Sequence, residues 1–178
     1  MTVAPGELRR ALFLDRDGTL IVDVGYPRDP LRVEPLPGAI EALRELAARF
    51  ALVIISNQSG LGRGLITEAE ARAVHDRVID IFARAGVELA GAYYCPHAPE
   101  ASCRCRKPAP GLLHDAAGEL GLDLSRSIMI GDKASDIAAG VAAGCQHALR
   151  FGPDADAAHG DGRCDDWTAV VQFLKFVS

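Results

Sequence analysis

Apolar runs of four to six residues alternate along this chain with longer segments in which apolar positions recur every three or four residues. On this pattern strands are placed near residues 11–15, 51–56, 90–95, 127–131 and 146–150. A short continuous apolar run bounded by turn residues reads as a strand covered on both faces. The segments between them read as crossover helices. One follows Pro37 and carries Ile40, Leu43 and Ala47 on one face. A second opens at Thr67, where Glu70 completes a capping box, and closes at Gly86. Further helices are expected over about 110–121 and 134–143, and a last one carries Trp167, Val170, Val171 and Leu174 at core spacing. Strands alternating with helices predict an α/β protein with a mainly parallel sheet. Asp154 to Asp166, rich in Asp, Gly and Ala, reads as a surface excursion. Neither a repeat nor a linker divides the chain, so residues 1–178 are expected to form one domain. Between Asp17 and Ser56, and between Ser56 and Lys107, there is no insertion long enough for a separate large cap domain.

The polar residues that matter stand where the apolar runs stop. The first run delivers Asp15-Arg16-Asp17-Gly18-Thr19. Side chains two apart on an extended segment point the same way, so Asp15 and Asp17 can converge on one ligand before Gly18 bends the chain. The plain alternative is a polar turn after a strand. The second run, Ala51 to Ile55, ends in Ser56-Asn57-Gln58-Ser59-Gly60, Arg106-Lys107-Pro108 supplies paired cations, and a third run, Ser127 to Ile130, ends in Gly131-Asp132-Lys133-Ala134-Ser135-Asp136. Ligands of open α/β sheets bind at the carboxyl ends of the strands, where these groups fall. Lysine usage adds to this: of 19 basic residues only Lys107, Lys133 and Lys175 are lysines, and two of them belong to these motifs. An ammonium and a guanidinium fork are not interchangeable against phosphate, although three residues could fall so by chance.

Cys95-Pro96-His97 and Cys103-Arg104-Cys105 place four soft ligands within eleven positions, about residues 95–105. Three thiolates and an imidazole make a closed tetrahedral zinc set, structural because no position is left for water. Buried free thiols or a disulfide are the alternatives. Cys105 runs directly into Arg106 and Lys107, so a metal here would brace the segment that delivers the cations. Cys145 and Cys164 fall outside the cluster and are expected as core and surface thiols respectively. His75, His114, His147 and His159 show no partner pattern and read as structural or solvated. Gly62-Arg63-Gly64 reads as a tight turn before the Thr67 helix rather than a phosphate nest.

Composition narrows the class without naming a reaction. The chain has 178 residues, 49% of them hydrophobic, with a net charge of −5. That supports a core needing no disulfide staples, and it offers no basic stripe for nucleic acid. No apolar run approaches the ~20 residues of a membrane span, and Met1 to Arg10 carries no signal-peptide pattern. A cytoplasmic monomer acting on a small molecule, without nucleic-acid or membrane partners, is expected.

Taken in order, the Asp15, Ser56, Arg106-Lys107 and Gly131-Asp132 motifs resemble those of the haloacid dehalogenase superfamily of phosphatases. The Cys95/His97/Cys103/Cys105 loop and Pro110-Gly111 narrow the resemblance, over about residues 11–150, to its heptose bisphosphate phosphatase branch. Ser56 stands where many members carry Thr. The resemblance implies a three-layer Rossmann-like fold and a Mg²⁺-dependent phosphatase that takes the 7-phosphate from a heptose 1,7-bisphosphate in nucleotide-activated heptose biosynthesis. It implies that Asp15 attacks phosphorus and Asp17 acts as acid and base. Ser56 and Lys107 then neutralise the phosphoryl group. Mg²⁺ is expected on Asp15, the Asp17 carbonyl and Asp132, with Asp136 behind them. Arg106, Lys133, the Asp23-Val24-Gly25-Tyr26 loop and Asn57-Gln58-Ser59 are expected to contact the phosphorylated sugar. Histidinol phosphate or another small phosphomonoester remains the alternative substrate, and a zinc-bearing binding module the non-enzymatic alternative.

Overall fold

The computed structural model describes residues 8–153 and 161–177. Six strands, β1 (Ala11–Leu14), β2 (Ala51–Asn57), β3 (Gly91–Cys95), β4 (Ile128–Gly131), β5 (His147–Phe151) and β6 (Gly162–Cys164), form one sheet in the order β3-β2-β1-β4-β5-β6. Every neighbouring pair is parallel. The helices are α1 (Ala39–Leu46), α2 (Ser59–Gly62), α3 (Glu68–Arg84), α4 (Gly111–Leu120), α5 (Ala134–Ala143) and α6 (Trp167–Phe176).

Alternation along β1 builds the layers. Leu12 and Leu14 pack with Leu43 of α1, Val78 and Phe82 of α3, and Trp167 and Leu174 of α6. Ala11 and Phe13 face the other way, against Leu112, Leu113 and Ala116 of α4 and Ala139 and Ala143 of α5. Helices therefore cover both faces, as an all-parallel sheet requires. The strand order reverses direction between β1 and β4, and at such a switch point the carboxyl ends of adjacent strands open a crevice. Asp15 and Asp132 stand at that crevice.

The expected strands and five long helices form within a residue or two of the expected positions, and the Thr67–Glu70 capping box is made in both directions. Two expectations are corrected and two features are added. β6 lies inside the segment read as a surface excursion, because a three-residue edge strand is too short to show a period; residues 154–160 and His159 lie outside the described residues. α2 adds a single helical turn that a Gly-rich stretch does not announce. Cys164, expected at the surface, is buried at the end of β6, whereas Cys145 is half-buried and packs against the core. Arg10, next to β1, lies over the Phe50 ring and donates to the Arg49 carbonyl. Among the described residues no helix is long and apolar enough to cross a membrane.

Candidate active site

The chain leaves β1 at Asp15, whose N–H still donates to the Ile130 carbonyl at 2.9 Å, so the first carboxylate is tied to the rim of the sheet. Gly18 then turns the chain back with φ +83. A Cβ there would lie 2.5 Å from Asp132 Oδ2, so glycine provides both the left-handed turn and the space for Asp132. Asp15, Asp17, Ser56, Lys107, Lys133, Ser135 and Asp136 meet around one small cleft at the carboxyl edge.

Lys107 is the hub. It is 3% exposed, and its Nζ lies 2.6 Å from Asp15 Oδ1, 2.6 Å from Asp136 Oδ1 and 2.6 Å from the Ile55 carbonyl. Three acceptors use all three ammonium hydrogens, a geometry that a planar guanidinium cannot copy. Burial alone would lower the Lys107 pKa, but Asp15 and Asp136 outweigh it and hold the group charged. Burial, reinforced by Asp136 and Asp132 against the pull of Lys107, pushes Asp15 up to about 7.

Asp132 completes a group of three carboxylates, with Asp15 and Asp136, whose oxygens lie within 4.8 Å of one another. Asp136 is engaged on both sides: Oδ1 pairs with Lys107, and Oδ2 accepts from the Lys133 N–H at 2.9 Å. Asp132 Oδ1 is buried without a hydrogen-bond partner, and burial raises the Asp132 pKa. An orphaned buried carboxylate oxygen beside Asp15 suits a hard cation taking oxygen ligands.

Asp17 has two unforeseen neighbours. Arg16, 1% exposed, grips its carboxylate through Nε at 3.2 Å and Nη2 at 2.9 Å, and Gln58 Nε2 donates to Asp17 Oδ2 at 2.9 Å. Arg16 stands inside the first motif yet received no role from the sequence. The available signal was that a charged residue held at a strand end between two carboxylates must pair when it is buried.

Beyond the cleft opens a cavity of about 850 Å³. Asp23, Gly25, Tyr26, Asn57, Gln58, Ser59, Arg106 and Lys133 line it, together with Ser102 and Cys103. Val24 is the exception: the Gly25 N–H closes a turn on Asp23 Oδ1 at 2.8 Å, and the Val24 side chain is left in solvent. Asp23 also pairs with Lys133 Nζ at 3.2 Å. Asn57 and Gln58 direct their amides inward, onto the Lys107 backbone and onto Asp17 and Ser56. His75, which showed no partner pattern, bonds to the Tyr94 hydroxyl.

Next to the cavity, which Cys103 lines, Cys95, His97, Cys103 and Cys105 bring three sulfurs and the His97 Nδ1 within 4.8 Å of one another. Their sulfur–sulfur separations of 3.3 to 3.5 Å exclude a disulfide and lie within a few tenths of the roughly 3.7 Å edge of a tetrahedron built on 2.3 Å zinc–sulfur bonds. The cluster is therefore compatible with zinc. Neighbouring elements close on this loop: Gly62 N–H donates to the Pro96 carbonyl at 2.8 Å, which makes Gly62 a packing point rather than part of a phosphate nest. A Cβ on Gly111 would lie 2.2 Å from the Arg104 carbonyl oxygen, so Pro110-Gly111 keeps α4 close under the loop.

This arrangement has counterparts among known proteins. The family model described as HAD-hyrolase-like matches residues 104–150. The D-glycero-beta-D-manno-heptose-1,7-bisphosphate 7-phosphatase of Yersinia pestis is 44% identical over 141 residues, covering 75% of each chain. Its counterpart in Escherichia coli (strain K12) is 45% identical over 141 residues, 75% of this chain and 74% of that one. A crystal structure of the D,D-heptose 1,7-bisphosphate phosphatase from B. bronchiseptica, complexed with magnesium and phosphate, superposes with a TM-score of 0.82 at 30% identity, over 96% of this chain and 100% of that one. With the four motifs gathered at one crevice and relatives this similar over three quarters of its length, the chain belongs to the heptose 1,7-bisphosphate 7-phosphatase family of the haloacid dehalogenase superfamily.

Proposed function

We propose that this protein removes the 7-phosphate of D-glycero-β-D-manno-heptose 1,7-bisphosphate by way of an aspartyl-phosphate on Asp15, as a single-domain enzyme without a cap. One observation carries the reading above all: a buried lysine joins Asp15 to Asp136 beside an Asp132 oxygen that has no partner. A purely structural cluster would satisfy that oxygen; a phosphoryl-transfer site leaves it for a cation.

Asp15 attacks phosphorus while Asp17 gives a proton to the departing sugar oxygen; Asp17 then takes a proton from the water that hydrolyses the acyl phosphate. Ser56 and Lys107 balance the charge on the phosphoryl oxygens. Asp15, Asp132 and the Asp17 carbonyl would hold Mg²⁺, which when bound neutralises phosphate charge and lowers the cost of ionising Asp15. Arg106 and Lys133 at the cavity wall suit the second, retained phosphate, and Tyr26 the sugar. Cys95, His97, Cys103 and Cys105 would hold a structural zinc that fixes the segment leading into Arg106 and Lys107. Five free cysteines fit a reducing compartment, the cytoplasm.

The test compares kcat/KM for the heptose bisphosphate, as both anomers, with that for histidinol phosphate. A preference for the β-anomer of the bisphosphate is expected. A preference for histidinol phosphate would move the substrate assignment to that compound and leave the Asp15 chemistry in place.

A further inference from the structure

Asp17 is held more firmly than an acid–base group needs for burial alone. Both its oxygens accept from Arg16, through Nε and Nη2 at 2.9 to 3.2 Å. Gln58 closes a triangle, its Oε1 accepting from Arg16 Nη2 at 3.0 Å while its Nε2 donates to Asp17 Oδ2 at 2.9 Å and to Ser56 Oγ at 2.8 Å. Behind the triangle the Tyr94 ring lies 5.9 Å from the guanidinium carbon, and the Tyr94 hydroxyl bonds to His75 on α3. Arg16 is thus almost wholly buried and does not line the cavity; it donates side-chain hydrogen bonds to Asp17 and Gln58.

A fully buried guanidinium is expensive to place and is kept only where its pairing is used. Two-point pairing fixes the plane of a carboxylate as well as its position. We propose that Arg16, locked by Gln58 and walled by Tyr94, is the positioning residue that aims the Asp17 carboxyl for proton transfer. This rests on Asp17 being the acid–base group of the proposed reaction. The proton leaves Asp17 for the ester oxygen as the phosphorus–oxygen bond breaks, and the carboxylate that results is the form Arg16 binds. In the second half the same carboxylate, still aimed, takes a proton from the attacking water.

The experiment measures kcat/KM on a series of phosphate esters whose leaving groups run from p-nitrophenol to simple alcohols. Proton donation matters least for the first and most for the last. In Arg16→Lys, which keeps the charge but loses the fork, the plot of log kcat/KM against leaving-group pKa should steepen. Misplacing a reacting group by about 1 Å costs on the order of 10²-fold, so a loss of that size is expected for alkyl phosphates, against a few-fold for p-nitrophenyl phosphate. Gln58→Leu, which opens the triangle without touching the guanidinium charge, should steepen the plot in the same direction by less. Parallel plots, with every ester slowed by the same factor, would overturn the proposal and make Arg16 a folding residue. An unchanged plot in both variants would overturn it as well. Failure of the unaltered enzyme to cleave any ester of the series would instead count against the phosphatase reading itself.

Discussion

Asn57 and Lys107, fifty residues apart, hold each other by two hydrogen bonds: Asn57 Nδ2 donates to the Lys107 carbonyl at 3.0 Å, and the Lys107 N–H donates to Asn57 Oδ1 at 3.0 Å. This is the join between the tip of β2 and the segment leaving the Cys/His loop. It determines where the Lys107 chain starts, and from there the ammonium reaches Asp15, Asp136 and Ile55.

Asn57→Ala should therefore act through Lys107. Losing two part-buried hydrogen bonds is worth about 1–3 kcal/mol, which should appear as a lower melting temperature. Activity should fall mainly in kcat, because the displaced group stabilises the transferring phosphoryl. A fall confined to KM would mean that Asn57 serves the substrate directly.

Gly18→Ala should cost more than an ordinary glycine substitution. The left-handed φ of +83 penalises any Cβ, by roughly 1–2 kcal/mol, and that Cβ would also meet Asp132 Oδ2 at 2.5 Å. Displacement of Asp132 should raise the Mg²⁺ concentration needed for half-maximal activity by more than about tenfold. Normal Mg²⁺ activation with reduced stability alone would show that Asp132 has room to spare.

Stability of the metal-free protein should fall as pH rises. Asp15 is held near 7 in the fold, against 3.8 for an unperturbed carboxyl, because burial and its neighbours Asp136 and Asp132 oppose its charge. The folded state thus keeps this proton more tightly than the unfolded chain. Its contribution is full below about 4 and is lost as pH climbs through about 7. Thermal melts between pH 5 and 8 should show the decline, Asp15→Asn should flatten it, and added Mg²⁺ should offset it at pH 8. Asp15→Asn should also abolish turnover, since an amide cannot attack phosphorus.

The two proposed metals should separate under a chelator. Carboxylates leave magnesium its waters, whereas three thiolates and an imidazole enclose zinc. Brief EDTA treatment is expected to stop activity reversibly while elemental analysis still finds one zinc per chain. Cys103→Ser should lower both melting temperature and activity, and added magnesium should not restore them. Full activity in zinc-free protein would remove the loop from the account of Lys107.

Much of this protein follows from local pattern. The strands β1, β2 and β4 were readable because buried strands are continuous apolar runs, and Asp15, Ser56 and Asp132 were findable because each sits where such a run stops. The Thr67 capping box needs only three residues of context. The four zinc-type ligands declare themselves by chemistry and spacing, since few other uses gather three cysteines and a histidine in one loop.

The remaining features depend on contacts between distant parts of the chain. That Asn57 and Gln58 turn inward, that Arg16 spends its charge on Asp17, and that Val24 misses the cavity are all outcomes of which groups compete for one buried donor or acceptor. β6 exists because β5 offers an open edge, not because Gly162–Cys164 has strand character of its own. Hydrophobic periodicity is a property of a segment and can be read along it. The pairing of buried polar groups belongs to the assembled core, where desolvation forces each one to find a partner, and it is decided only there.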